Sequence, residues 1–328
     1  MTSSEEGEQR PQPNGSRRFA WLAIGIVAAI AAYTGGWFWA AGKVETETAR
    51  FLDTLRSRGQ EADCANAQAK GYPFRLGLFC DGVAFADPRL GLALSGTGLR
   101  SAAQIYQPTK IVGELDHLTG DLAAPGGSVH VNWSDIRFST HLAKPLPSIL
   151  SAQSGSVTVA DPDGQQLAAA SDAIVHFRPR AADVDLAGRM NGVTVAALAS
   201  LPPVAAAIDA TVLNGVALLL SPDRSLRGAS GELRDLSIVA PDGSIAVTGK
   251  AAIDQDGLID ADLTVKLNNP PAIVRLISAA LPDLAPRLQQ AEKLVSLMGD
   301  NPTVPVTISK GEVRLGFFTI GRIPPIGP

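Results

Sequence analysis

Histidine is the residue type best suited to proton transfer and metal binding, and the chain has four, far apart in sequence: His117, His130, His141 and His176. None stands in an HExxH motif, an HxE motif or a Cys/His cluster, the spacings that bring metal ligands together. His130 alternates with two valines in a strand-like pattern, so we expect its imidazole to face solvent. The simplest interpretation of all four is a histidine at a surface or a sheet edge.

Other motifs that could carry chemistry are incomplete. Gly228–Gly231 includes a serine without the spacing of a nucleophile elbow, and Gly96–Gly98 lacks the third glycine of a dinucleotide loop. Asp254–Gly257 resembles the start of a calcium loop but lacks the downstream glutamate of an EF-hand, so a β-turn is the simpler interpretation. We therefore predict no catalytic, cofactor-binding or metal-binding residues, no cofactor, and a protein that is not an enzyme.

The chain has two cysteines, Cys64 and Cys80. In an oxidising compartment, two cysteines that flank a short segment predict one disulfide, which stabilises a fold by about 3 kcal/mol in the chain-entropy model. Two unrelated buried thiols are the alternative. The spacing has no CxxC character, which disfavours a redox motif or a zinc site.

The residues Phe19–Ala41 form a run of 23 residues without a charged side chain. As a helix, this run would extend roughly 34 Å, enough to cross a hydrocarbon core of about 30 Å. It is longer than the apolar core of a cleaved signal peptide, and Trp37, Phe38 and Trp39 stand where a cleavage site needs small residues. We predict an uncleaved transmembrane helix, with the lipid bilayer as a partner of the protein.

The charges around this helix predict its orientation. Basic residues are nearly balanced on its two sides, but Arg17 and Arg18 abut the apolar run, and long downstream domains cross membranes with little regard to charge. We predict that residues 1–18 form a disordered cytoplasmic tail and that the bulk of the chain lies outside the cytoplasm. The net charge of −4 gives no reason to expect nucleic acid as a partner, since nucleic acid binding needs a concentrated basic face.

The rest of the chain predicts an α+β fold with a mainly antiparallel sheet. Residues 42–60 have the apolar spacing of a membrane-proximal helix, and residues 61–328 form a β-rich domain with a strand irregularity at Ser134-Asp135. Three segments, 83–96, 157–170 and 237–249, each predict a hairpin around a proline-containing turn. They are either three degenerate β-units of an elongated, curved sheet or a chance resemblance among turns.

Helical spacing returns near the end of the chain. Asn269 and Pro270 begin a predicted helix, and Leu284–Met298 predicts a second, so that the two form a C-terminal helical hairpin. The segment Val304–Ile320 then predicts the last strand.

The segment Gly71–Leu76, followed by Cys80, resembles the motif that opens the bacterial domain of unknown function 2125 family. The tail from Leu315 to Ile326 also resembles the end of that family, so the resemblance covers most of the chain. Such proteins are distantly similar to AsmA-like envelope proteins, which implies an inner-membrane anchor and a long periplasmic β-structure. The resemblance implies a structural role, with Phe74 packed beneath the first strand, for a motif of five residues: Gly71, Tyr72, Pro73, Phe74 and Arg75.

We therefore expect a single-pass protein of the bacterial inner membrane with a periplasmic, non-enzymatic domain. Its strands are apolar on one face, so the curved sheet is expected to cradle lipid or another apolar ligand. The alternative is a scaffold that binds another envelope protein through a sheet edge or the helical hairpin. A hydrolase, the third hypothesis, would need polar residues clustered in a cleft.

Overall fold

The computed structural model of the chain describes residues 15–89, 91–124, 127–199, 201–221, 225–280, 285–286, 299, 301–316 and 318–326. A long helix, α1 (Gly15–Ser57), comes first. The strands of the first half are β1 Glu61–Ala65, β2 Gln68–Lys70, β3 Arg75–Asp87, β4 Leu92–Gln104, β5 Gln107–Ala124, β6 Gly127–His141, β7 Ile149–Ser154, β8 Val157–Ala160 and β9 Gln166–Ala170. The second half contains β10 Asp172–Arg180, β11 Asp183–Val195, β12 Val204–Leu213, β13 Ser230–Ala240, β14 Gly243–Ile253, β15 Ile259–Asn268, β16 Thr303–Ser309, β17 Glu312–Leu315 and β18 Phe318–Arg322. Helical segments that the described residues form in the second half are a 3₁₀ turn at Ala196–Leu198, α2 Gly215–Leu220 and α3 Pro270–Ala280.

The strands form one sheet of 18 in which the described pairings are all antiparallel, mostly between successive strands. β7 and β8 lie end to end along β6, so that they act as one interrupted strand. β9 and β10 in turn lie end to end along β11. The α+β fold class, with its N-terminal apolar helix and large antiparallel curved sheet, is thus confirmed.

The three hairpins expected from the sequence are present as β3–β4, β8–β9 and β13–β14. The strand register places the turns of all three hairpins at the same end of the sheet. Their descent from one repeated unit stays a prediction.

Helix α1 is one element of 43 residues that includes both the predicted transmembrane helix and the membrane-proximal helix expected to continue from it. In the part of the chain that the structure describes, it is the one helix long and apolar enough to cross a membrane. Its C-terminal part lies along the first strands, with Val44, Thr48 and Leu52 half-buried at helical spacing. Phe51, expected on the same apolar stripe, instead faces solvent and is 62% exposed.

A line of irregularities, here called the crease, crosses the sheet from β3 to β11. At the crease the ladder skips a residue pair between β3 and β4 and between β5 and β6, β7 is separated from β8, and the register shifts within β11. Positive φ angles at Gly98 (68°), Asp135 (47°) and Gly192 (61°) accompany it. Because such bulges bend strands, the crease bends the sheet. The irregularity predicted at Ser134-Asp135 is confirmed as one part of this line.

The buried core lies on the side of the crease that carries the three hairpin turns. Its centre is formed by Val131, Val157 and Ala170, with Trp133 and Val193 among the residues packed around it. These side chains come from β6, β8, β9 and β11, which are consecutive neighbours in the sheet on that side of the crease.

The C-terminal region differs from the prediction in one respect. The expected single strand Val304–Ile320 is wrong: the chain turns at Lys310-Gly311 and again at Gly316, with positive φ at each, and forms β16, β17 and β18. Helix α3 matches the first predicted helix and buries Ile273 against the sheet. The predicted second helix, Leu284–Met298, lies outside the described residues apart from positions 285 and 286.

Candidate functional site

The two faces of the sheet have opposite chemistry. One transverse row of paired residues runs from β4 to β16 on the face that packs against α1, here called the inner face. Successive pairings give the row Ser101, Gly113, Phe138, Ala152, Val175, Gly188, Ile208, Leu236, Val247, Val265 and Val304. Paired residues of an antiparallel sheet point to the same side. The inner face therefore presents an uncharged, almost wholly apolar surface across eleven strands.

The next row belongs to the outer face and is largely polar. It includes Ser139, Ser151, His176, Asp209 and Asp235. An antiparallel sheet with one solvent-exposed face and one buried face shows this alternation. In most such proteins a second layer covers the apolar face, whereas no second sheet covers the inner face here among the described residues.

Small residues leave a trough in the middle of the inner face. Ala152, Ala173, Gly188 and Ala206 come from four neighbouring strands, where larger side chains would fill the space. The trough is a cavity of about 540 Å³ whose lining is almost entirely apolar. Its walls are formed by larger side chains: Leu118, Trp133, Ile136, Val175, Met190, Ile208 and Leu236.

The walls of this cavity are accessible. Val175 and Leu236 are each 43% exposed, and Met190 and Ile208 are also exposed. Burying such side chains would release roughly 25 cal/mol for each Å² of apolar surface removed from water. The trough therefore has the properties of a binding surface for an apolar molecule.

Ser154 contributes a polar side chain to the cavity lining. Its hydroxyl oxygen is buried and has no hydrogen-bond partner among the described residues. A buried hydroxyl without a partner is costly, so Ser154 marks a point where a polar atom of a ligand would be favoured.

A second apolar cavity, of about 690 Å³, lies on the same face beneath α1. The helix contributes Tyr33, Trp37 and Val44, which recur at helical spacing along one side. The sheet contributes Leu76, Leu78, Ala103 and Ile111 from β3 to β5, together with Leu142 after β6. Phe138 lies between the two cavities, with its ring over Gly113.

The motif Gly71, Tyr72, Pro73, Phe74 and Arg75 anchors α1 to the sheet through its backbone and one ring. Tyr33 donates its hydroxyl to the Pro73 carbonyl oxygen at 2.6 Å, and Trp37 donates Nε1–H to the Arg75 carbonyl oxygen at 3.0 Å. The Tyr72 ring contacts Trp37 edge-on at 5.5 Å between centroids.

Two residues of the motif explain how it is built. Gly71 has φ of 119°, and a Cβ there would lie 2.8 Å from the Arg75 carbonyl oxygen, so only glycine fits this turn. The expectation that Phe74 packs beneath the first strand is wrong. It precedes β3 and is 73% exposed, because it lies in the turn before the strand rather than on the strand itself.

The predicted disulfide is present between Cys64 and Cys80, whose Cα atoms are 5.4 Å apart. Cys64 pairs with Val83 on the far side of the crease, whereas Cys80 lies before it. The bond therefore ties β1 to β3 across the crease.

The structure leaves the four histidines on the sheet without bringing them into one cluster. His130 lies on the outer face beside Asp121, half-exposed as expected. His176 shares a hydrogen bond with Ser151, its cross-strand partner, at 2.8 Å between Nδ1 and Oγ. Sequence reasoning could not find this pair, because the two residues are separated by 25 positions and meet only through strand register.

Charged side chains gather on the outer face rather than in either apolar cavity. Asp185 accepts hydrogen bonds from Arg178 at 3.0 Å and from Thr211 at 2.8 Å, and Arg234 joins the cluster through Asp209. Arg178 holds the pKa of Asp185 below its ordinary value, with a further contribution from Thr211. Within the residues that the structure describes, no three His, Cys, Asp or Glu side chains are placed to hold a metal ion together.

The comparisons with known proteins agree with the resemblance found in the sequence. No curated protein matches the chain. Residues 37–324, which extend from Trp37 of the α1 anchor to the end of the sheet, match the family described as an uncharacterized protein conserved in bacteria, DUF2125. This match spans most of the chain, and the protein therefore belongs to the domain of unknown function 2125 family.

Proposed function

We propose that this protein is a membrane-anchored, non-enzymatic protein of the bacterial inner membrane that holds a lipid acyl chain on the inner face of its sheet. The N-terminus lies in the cytoplasm and the sheet in the periplasm. The oxidised Cys64–Cys80 pair supports an oxidising compartment for the sheet. The similarity of this family to AsmA-like envelope proteins is part of the same proposal.

The observation that carries the proposal is the exposed apolar trough. A soluble domain normally seals the apolar face of a sheet with a second layer. Here the trough is floored by small residues and walled by exposed aliphatic side chains over several neighbouring strands. Its almost entirely apolar lining fits a hydrocarbon chain better than a polar metabolite, which would need convergent hydrogen-bonding groups.

A binding role is favoured over hydrolysis by the position of the polar residues. The Ser151–His176 pair lines a polar cavity of about 530 Å³ on the outer face, but no described carboxylate hydrogen-bonds to this imidazole. The strand backbone around the pair is committed to ladder hydrogen bonds, so it offers no free N–H groups for an oxyanion hole.

The test is mass spectrometry of lipids retained by the full-length protein purified in mild detergent. We expect the wild-type protein to retain lipid and Leu236→Asp to lose most of it, because a carboxylate in the trough would have to be desolvated beside the acyl chain. Val239→Asp is the matched control, since Val239 lies on the same strand and is 51% exposed. Three positions separate it from Leu236, which places it on the outer face. Lipid-free wild-type protein, or equal retention by both variants, would contradict the proposal.

A scaffold that binds another envelope protein is the second candidate. It would bind its partner through an edge of the sheet, where strand backbone groups can pair with another chain. A partner protein bound at that edge would leave the lipid content of Leu236→Asp unchanged, and the same experiment therefore separates the two candidates.

A further inference from the structure

The end of the sheet that contacts α1 lies beside the apolar part of this helix, not beyond it. Tyr33 and Trp37 hydrogen-bond to the backbone of Pro73 and Arg75, yet both lie inside the charge-free run Phe19–Ala41. Tyr33 is eight residues before Ala41, or about 12 Å along the helix. Measured along the helix, the sheet therefore begins well before the C-terminal end of the apolar run.

The length of helix that projects beyond the sheet is too short to span a membrane alone. From Phe19 to Ala32 the helix rises about 21 Å, whereas a hydrocarbon core is about 30 Å thick. Counting from Gly15, where α1 begins, adds only about 6 Å and includes Arg17 and Arg18. A bilayer that α1 spans must therefore reach past Tyr33 and meet the sheet.

The residues at this level have the chemistry of a membrane interface. We call them the α1-side rim, comprising residues 72–74, the β4–β5 turn at residues 105–106, and residues 142–148 after β6. Phe74 and Tyr106 are each 73% exposed, and Tyr72, Ile105 and Leu142 are exposed as well. Aromatic side chains of this kind concentrate where lipid headgroups meet the acyl chains.

The charge around the rim also fits a membrane surface. Residues 66–80, 101–113 and 136–160 contain no Asp or Glu, but they include the exposed Lys110 and Lys144. Basic residues near a bilayer are attracted to anionic lipids. The hairpin turns at the opposite end of the first strands instead carry acidic residues such as Asp161 and Asp163.

We infer that the α1-side rim lies in the interfacial layer of the membrane, with Phe74 and Tyr106 inserted among the lipids. The cavity beneath α1 then opens onto the bilayer, because Tyr33 and Leu142 line its lower end at the same height as the rim. An acyl chain can pass from the membrane to the inner face without crossing water. This inference rests on the proposed anchoring of the sheet by α1.

The experiment is a depth measurement on the full-length protein in vesicles of phosphatidylcholine and phosphatidylglycerol. Phe74→Cys and Tyr106→Cys are made separately and spin-labelled, and both positions are exposed enough for the label to leave the fold intact. Asp163→Cys, on the exposed β8–β9 turn, is the control. The collision rates of each label with oxygen, which concentrates in lipid, and with a water-soluble nickel chelate are compared.

Labels at positions 74 and 106 are expected to favour oxygen several-fold more than the label at position 163. Equal, water-like accessibility at all three positions would overturn the inference. Retained lipid is measured in the same preparations. Water-exposed rim labels on a protein that still retains lipid would refute only this inference, whereas lipid-embedded rim labels on a lipid-free protein would refute only the proposed function.

Discussion

Individual polar side chains in this sheet are stabilising or costly according to the face on which they lie. On the outer face, hydroxyl groups find cross-strand partners, as Ser151 does with His176. On the inner face, Ser154 lies in an apolar cavity and finds none among the described residues. The two serines are on the same strand, which makes them a matched pair.

Replacing Ser154 by alanine should raise the free energy of unfolding by about 1 kcal/mol, because it removes a buried hydroxyl that has no partner. Ser151→Ala is the control and should leave stability unchanged or lower it, since that hydroxyl is hydrogen-bonded. Denaturant unfolding of the detergent-solubilised protein measures both. A loss of stability in Ser154→Ala as large as that in Ser151→Ala would show that its hydroxyl is engaged.

Asp185 should make stability depend on acid pH. Arg178 and Thr211 lower its pKa from an ordinary value of 3.8, so the folded state binds a proton less readily than the unfolded chain. The resulting stabilisation is complete above pH 3.8 and is lost as the pH falls toward the lower, folded-state pKa. Asp185→Asn should flatten this dependence.

The same variant should also unfold more easily at neutral pH, by about 1–3 kcal/mol, because charge-assisted hydrogen bonds to a largely buried carboxylate are lost. Unfolding free energy measured between pH 2 and 7 tests both effects. Asp163→Asn, which removes a carboxylate from an exposed turn, is made alongside as the control for the loss of one negative charge. A profile of Asp185→Asn that still falls like that of the wild type would contradict the assignment.

At the scale of elements, the crease interrupts the regular ladder of the sheet along one line from β3 to β11. Gly98 lies on it with φ of 68°, and a Cβ at this position would come within 2.0 Å of Asp116 Oδ2. Gly82 lies on the adjacent strand, also at the crease, and a Cβ there would meet nothing closer than 3.8 Å. A residue with a Cβ atom would therefore fit at position 82 but not at position 98.

Gly98→Ala should therefore destabilise the protein by about 1–3 kcal/mol, through backbone strain and displacement of Asp116. Gly82→Ala should change the unfolding free energy by less than about 0.5 kcal/mol. Thermal unfolding of the two variants side by side is the measurement. Equal effects of the two substitutions would show that the crease does not depend on the left-handed backbone at Gly98.

These elements also show what sequence patterns can and cannot supply. Period-two alternation in β6 revealed both its apolar face and its irregularity at Ser134-Asp135, because both are local properties of one strand. The crease as a whole could not be predicted, since it exists only when the strands from β3 to β11 are aligned in register. The break of the last predicted strand at Lys310-Gly311 was missed because Val313 and Leu315 continue the alternation after the turn.

At the scale of the whole molecule, one helix and one curved sheet explain the distribution of apolar residues. The alternation of strands predicted an apolar face, but its trough depends on Ala152, Gly188 and Ala206 becoming neighbours, which strand register alone decides. The motif from Gly71 to Arg75 was recognised in the sequence, but its role in holding α1 against the sheet was not. That role depends on hydrogen bonds from Tyr33 and Trp37, which are distant in sequence.

The central claim is that a lipid occupies the inner face of the sheet, and photo-crosslinking in native membranes tests it most directly. A benzophenone amino acid would replace Ile208, on the wall of the trough, or Val239, on the outer face, in the full-length protein. Mass spectrometry of the irradiated protein should find a phospholipid adduct at position 208 and none at position 239. A protein adduct at position 208, or no lipid adduct there, would contradict the account.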